Sequence, residues 1–222
     1  MIEYKTIYET ALILNPDLDL EKSLPSADSP RSLKSKTDAW YLSTMSRRIF
    51  RAGLKHSMVD AKWPDFEKAY HNFDLLRVSM MSDEDIDSLM TNRRLIRHWR
   101  KIQAVRYNAS IMIEQVEEKG SFGGYLADWP VVNTVGLWQD LKKHYKQMGG
   151  NSAPYFLRMA GRDTFILTSD VIRALNRWGA YQGTPSSIKS RHQVQEAFNT
   201  LAEQSGRPLC QLSRILALSV NE

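Results

Sequence analysis

Apolar residues return along this chain at spacings of three and four, while Val, Ile and Thr seldom alternate with polar residues, so the pattern predicts an all-α protein. A first helix ends near Asn15-Pro16, and the stretch from Leu24 to Lys36, rich in Pro, Ser and charge, reads as a surface loop or arm. From Thr37 to Leu54 the residues Trp40, Leu42, Met45, Ile49, Phe50 and Gly53 form one stripe, with Thr37 or Asp38 as cap. Trp63-Pro64 reads as a further helix start, with Pro in the first turn. Ser82, followed by Asp83, Glu84 and Asp85, predicts a capped helix that stops at Thr91-Asn92. A long helix runs from about Arg97 to Glu118, and Gly120 ends it. Gly123-Gly124 and Trp129-Pro130 punctuate the chain, and helices follow over 135–148, 153–159, 169–178, 190–205 and 208–219. Gly149 to Pro154 offers a hinge between two helical lobes, although one structural unit remains the simpler division. The expected layout is an N-terminal helix and loop over 1–36 and one helical domain over 37–222, with a hairpin at 91–97.

Composition narrows this picture. With 222 residues, 42% of them hydrophobic and 25% charged, the chain buries a core and is neither disordered nor fibrous. No uncharged apolar run approaches the roughly 20 residues that a membrane span needs, and acids and a lysine stand where a signal peptide would be apolar, so a cytoplasmic protein is expected. Cys210 is the single cysteine, which suits a reducing compartment and excludes thiolate metal clusters. The net charge of +5 permits a polyanionic partner without requiring one.

The charge is concentrated in one place. Between the helix ending at Asn92 and the long helix after it, Arg93, Arg94, Arg97, Arg100 and Lys101 crowd a short turn, and no Asp or Glu occurs from Ser88 through Ile113. Backbone amides at a helix start together with phosphate-neutralising side chains suit a nucleic-acid backbone. The competing reading is a solvated basic face.

The run Leu95-Ile96-Arg97-His98-Trp99-Arg100-Lys101-Ile102-Gln103-Ala104 closely resembles the I-I-R-H-x-x-K-I-x-A signature at the helix-hairpin-helix of the 3-methyladenine DNA glycosylase I family. Phe50-Arg51-Ala52-Gly53-Leu54 is similar to that family's Q-A-G-L segment, and Phe66 to Asp74 resembles its F-R-x-A-F-x-x-F-D. Together these cover residues 45 to 126 and imply the helix-hairpin-helix DNA glycosylase fold, two helical lobes with a cleft between them. They further imply an N-glycosyl hydrolase of base excision repair that flips alkylated purines such as 3-methyladenine out of double-stranded DNA. The contacts to DNA would be Asn92, Arg93, Arg94, Ile96, Arg97, His98 and Lys101.

The chain departs from the family at the base. Arg48 stands where the family has the glutamate that contacts the flipped base, His56 where it has a stacking Trp, and Arg94 where the hairpin usually has Gly. The family's Cys and His zinc ligands have no counterparts, so no metal and no cofactor are expected. A base pocket would draw on Arg48, Phe50, His56, Trp63 and Trp40, against the alternative that these rings are ordinary helix-packing core. Gly161 to Leu175 is similar to the wider superfamily's glycine-containing segment followed by a catalytic aspartate, which makes Asp170 the candidate carboxylate. It would stabilise positive charge developing on the deoxyribose and orient water. The same residues also read as a plain capped helix. A monomer acting by hydrolysis is expected, associated with the nucleoid if bacterial. The alternative is a catalytically inactive helix-hairpin-helix protein that binds or senses damaged DNA, for which Arg48 is the best support.

Overall fold

A computed structural model of the protein describes residues 2–220, which carry helices and no strand. The first seven helices are α1 (Tyr4–Leu14), α2 (Leu20–Ser23), α3 (Pro30–Ser35), α4 (Asp38–Arg51), α5 (His56–Ala69), α6 (Leu75–Ser79) and α7 (Asp83–Thr91). They are followed by α8 (Trp99–Lys119), α9 (Phe122–Asp128), α10 (Thr134–His144), α11 (Ser152–Ala160), α12 (Ser169–Arg177), α13 (Ile188–Ser205) and α14 (Leu209–Leu218). No helix among the described residues is long and apolar enough to cross a membrane.

Most element starts follow from local chemistry. Thr37 caps α4 by accepting from the Trp40 amide, Ser82 and Asp85 form a capping box on α7, and Gly120 takes φ 79 to end α8. Four expectations need correcting. The stretch read as a loop contains α3, which Ser29 caps with Pro30 in the first turn. Trp63-Pro64 does not open a helix: Pro64 lies inside α5. The ring forfeits one backbone bond on an exposed position, and burial of Val59, Trp63 and Phe66 on the opposite face carries the helix through. Gly123-Gly124 is not punctuation but part of α9. Finally, α10 stops at His144 rather than Met148, and Gln147 just beyond adopts φ 63.

The chain forms two compact units. One unit comprises Met1–Asp28, Pro130–Leu137 and Asp163–Glu222, the other Ser29–Trp129 and Trp138–Arg162. In the first, α1 packs on α13 and α14, and α12 packs on α14. Phe165 and Phe198 stack at 4.2 Å at its centre. Pro208 has no side-chain cap to offer α14, and Asp163 supplies one from outside, its carboxylate accepting from the Leu209 and Cys210 amides at 2.9 Å each.

In the second unit α4 is the central element, touching α5, α8, α9 and α11. Tyr41, Leu42, Met45, Ile49 and Phe50 form its buried stripe, and Ile102, Val105 and Met112 of α8 and the rings of Phe66, Tyr70 and Phe73 are buried in the same unit. Those rings form a run of stacked and tilted pairs: Phe50 to Phe66 at 4.5 Å, Trp63 to Phe73 at 5.5 Å, and Tyr70 to Phe73 at 5.6 Å. Aromatic burial of this kind is the main term holding the α4, α5 and α8 cluster together.

Candidate nucleic-acid interface

The expected hairpin is present. Between α7 and α8 the chain turns over Asn92 to His98, and Leu95, 3% exposed, anchors it to the core. The Asn92 side chain accepts from the Arg94 amide at 3.0 Å, and its carbonyl accepts from Leu95, which fixes the turn. Lys62 of α5 braces it from beneath, donating to the Arg94 carbonyl at 2.8 Å and the Arg93 carbonyl at 3.3 Å. Nothing in the sequence singled Lys62 out. Arg93, Arg94, Arg97 and His98 are exposed, and Ile96 and Asn92 are half-buried. The amides of Ile96, Arg97, Trp99 and Arg100 have no acceptor among the described residues and lie at or just before the positive end of α8. Arg94 has one weak acidic neighbour, Asp65 at 3.9 Å. One turn along α8 a recess of about 460 Å³ continues the positive surface, its wall including Arg100, Arg106, Tyr107 and Lys146 and no acid.

Lys101, also expected to meet DNA, is only 8% exposed and points inward. Its ammonium donates to the carbonyls of Ala52 at 2.6 Å and Phe50 at 3.3 Å. Burial, then the nearby Arg48, hold its pKa below the usual lysine value. It fastens α8 to the end of α4.

The residues expected around a base fall into four environments. Phe50 and Trp63 are core, 0% and 3% exposed, and offer no open face. The Trp63 indole donates to Ser43 at 3.0 Å. Trp40 is 38% exposed, lies beneath the Lys36 ammonium, and borders a recess of about 350 Å³ with Ser43, Glu67 and Asn72. His56 is the exposed first residue of α5. Arg48 is buried on α4, its guanidinium over the Tyr155 ring at 4.7 Å. The structure thus brings Arg48, Lys101 and the Phe50 carbonyl into one neighbourhood and leaves His56 and Trp40 outside it. Tyr155 belongs to that neighbourhood too; it comes from α11, too far along the chain for any periodicity to pair it with Arg48.

Asp170 belongs to the other compact unit, in the first turn of α12. The cap of that helix is Thr168, which accepts from the Val171 amide at 3.3 Å, so neither Ser169 nor Asp170 is needed for capping. The Asp170 carboxylate is half-exposed and pairs with Arg173 at 2.6 Å. Arg177 points back to the Ser219 carbonyl and the Trp178 ring. Among the described residues no cluster of His, Cys, Asp and Glu is placed to hold a metal ion.

The sequence profile of the methyladenine glycosylase family matches residues 34–151. The DNA-3-methyladenine glycosylase of Haemophilus influenzae is 32% identical over 91 residues, 41% of this chain and 48% of that protein, so the match spans about half of the relative's length. A crystal structure of 3-methyladenine DNA glycosylase I in complex with 3-methyladenine aligns with TM-score 0.53 and 22% identity, over 68% of this chain and 88% of its own. The 8-oxoguanine DNA glycosylase of Methanocaldococcus jannaschii aligns with TM-score 0.58 and 14% identity, over 96% of this chain and 91% of its own. At these identities the two structures establish the helix-hairpin-helix DNA glycosylase fold, and the second extends it to the segments outside the matched profile. Since that profile covers more than half of the residues and its turn carries the exposed basic side chains described above, the chain belongs to the methyladenine glycosylase family.

Proposed function

We propose that the protein is a DNA glycosylase of base excision repair, which extrudes an alkylated purine from duplex DNA and hydrolyses its N-glycosidic bond to leave a free base and an abasic site. The altered base named for its relatives is 3-methyladenine. The acid-free turn from Asn92 to His98 carries this reading: exposed Arg93, Arg94 and Arg97 neutralise phosphates while the unpaired amides at the start of α8 donate to a phosphate oxygen. Breaking the bond leaves positive charge on the sugar, and Asp170 would supply the carboxylate that stabilises C1′ and orients the attacking water. Its pairing with Arg173 holds that carboxylate in a defined direction. The protein would act as a monomer in the cytoplasm, where duplex DNA is its partner.

A second reading, a helix-hairpin-helix protein that binds damaged DNA without chemistry, draws on Arg48 in the place of the family's glutamate. An abasic-site assay on alkylated duplex separates the two. Release of base by the wild type, lost in Asp170→Asn at unchanged melting temperature, supports the enzyme. Binding that is indifferent to the lesion, with no release, supports the binding protein.

A further inference from the structure

The recess on α8 gathers cations that the hairpin does not account for. Its volume is about 460 Å³, and Arg100, Arg106, Tyr107 and Lys146 line it together with Ser79 and Gln147. All of these belong to one compact unit. The wall holds no carboxylate, because two acid-free stretches meet there: Ser88 to Ile113, which supplies the α8 side, and Leu141 to Arg162, which supplies the turn after α10. Arg106 is already committed, donating to Asp83 at 2.7 Å and to the Met81 carbonyl at 2.9 Å. Arg100 and Lys146 are exposed and pair with no acid among the described residues.

The turn that brings Lys146 to this wall is firmly held. The Asn108 side chain, 0% exposed, accepts from the Lys146 amide at 2.8 Å and donates to the Lys146 carbonyl at 3.2 Å, so α8 grips that residue by both main-chain groups. Tyr145 and Met148 are buried on either side, and Gln147 between them adopts φ 63, which few residues other than glycine take. With its backbone fixed in this way, Lys146 lays its ammonium over the Tyr107 ring, 4.7 Å from the centroid. Tyr107 itself is 41% exposed.

Cations gathered in a concave wall raise the local potential and concentrate anions. The recess is of the size of small-molecule sites, roughly 300–1,000 Å³, so a phosphate alone leaves much of it empty. What remains in the wall is an aromatic ring, on which a base of any identity stacks. Lys146 carries its charge on a flexible stem, and the ammonium can leave the ring for a phosphate oxygen while the ring takes the base. The recess is distinct from the amides at the start of α8, because Tyr107 stands about 12 Å along the helix from Trp99.

We propose that this recess is a nucleotide-binding site separate from the hairpin, with the phosphate between Arg100 and Lys146 and the base on Tyr107. The nucleotide is either free or part of a DNA strand that runs past the hairpin. The proposal does not depend on the glycosylase reading.

The test uses the full chain at low salt and titrates it with adenosine 5′-monophosphate, adenosine and inorganic phosphate, and separately with blunt duplex DNA and duplex carrying a single-stranded overhang. For a free nucleotide, the monophosphate should bind about tenfold or more tighter than adenosine, the size of one charge-assisted hydrogen bond. Joint substitution Arg100→Gln and Lys146→Gln should remove that advantage at unchanged melting temperature. Tyr107→Ala should weaken the monophosphate about fivefold or more and leave inorganic phosphate alone, as loss of a stacked base requires. For a DNA strand, the joint substitution should instead weaken DNA binding, most for the overhung duplex. Lys142→Gln with Lys143→Gln removes equal charge from exposed positions outside the recess and sets the non-specific loss. If neither the monophosphate nor DNA loses more affinity through the recess pair than through this control pair, the proposal is overturned. It is equally overturned if monophosphate binding survives in the recess variants and disappears in Arg97→Gln, which would put the nucleotide at the hairpin.

Discussion

Lys101 Nζ lies 2.6 Å from the carbonyl oxygen of Ala52, so the second helix of the hairpin is fastened to the end of α4 by a side chain that charge counting alone would assign to DNA. Removing the ammonium leaves buried carbonyls unsatisfied, which costs about 1–3 kcal/mol. Lys101→Met should therefore lower the urea midpoint clearly while changing the salt dependence of DNA binding little. If the variant keeps wild-type stability and loses affinity instead, Lys101 is a phosphate contact after all.

Arg93, Arg94 and Arg97 are the opposite case, exposed and with at most one distant acid between them. Each phosphate contact neutralised steepens the fall of log affinity with log salt by about 0.9. Arg93→Gln, Arg94→Gln and Arg97→Gln should each flatten that slope by about one contact, whatever the DNA sequence, and leave melting temperature within about 0.5 kcal/mol of equivalent stability. Salt titrations of duplex binding read the slope directly, and an unchanged slope in all three would remove the hairpin from the interface.

The contrast between these two sets marks where the sequence was legible. The caps at Thr37 and Ser82, the two ends of α8 and the acid-free turn are local patterns, and each appears in the fold at or within two residues of where the sequence puts it. Which way a basic side chain points is not local. Arg97 and Lys101 are four residues apart in one motif, yet Arg97 is exposed and Lys101 turns inward, because only Lys101 lies over the open carbonyls of α4. The site around Arg48 was half-visible: its departure from the family showed, but Tyr155 beneath it and the engagement of Asp60 by Arg47 and Arg51 depend on tertiary packing. Pro64 misled for the same reason, since burial of its neighbours outweighs a local breaker.

Asp60 ties Arg47 and Arg51 together, and the resulting stability carries a pH signature. Burial pushes its carboxyl pKa up, but the hydrogen bonds from Arg51 and Arg47 prevail and hold it below 3.8. A carboxyl depressed in the folded state contributes fully above its unfolded value and loses that contribution as pH falls through the folded one. Asp60→Asn should thus be less stable than wild type at neutral pH, and the two urea midpoints should converge as pH drops below 3.8. A gap that does not vary with pH would mean the pair contributes through packing alone.

Asp163 offers a test confined to the other unit. It accepts from two amides at the start of α14, where Pro208 gives no side-chain cap. Asp163→Ala should destabilise by about 0.5–2 kcal/mol, the range for losing a helix cap. Amide exchange should localise the loss to the first turn of α14, and full protection of Leu209 and Cys210 in the variant would contradict the assignment.

Gly123 explains why a glycine pair sits inside α9. A Cβ there would meet the Leu33 carbonyl oxygen at 2.4 Å and both the Leu33 carbonyl carbon and Tyr41 Cε2 at 3.1 Å. The Leu33 oxygen cannot yield freely, because it also accepts the Tyr41 hydroxyl at 2.7 Å. Gly123→Ala must therefore move α3 off α9 or break that bond, and overpacking of this kind costs about 1–3 kcal/mol. Gly149 is the control: no atom lies within 4 Å of its virtual Cβ and its φ is not positive, so Gly149→Ala should be neutral or stabilising by up to about 1 kcal/mol through the unfolded chain. Equal urea midpoints for the two variants would show that α3 is free to shift, and the close α3 to α9 approach would then be a consequence of the glycine rather than its reason.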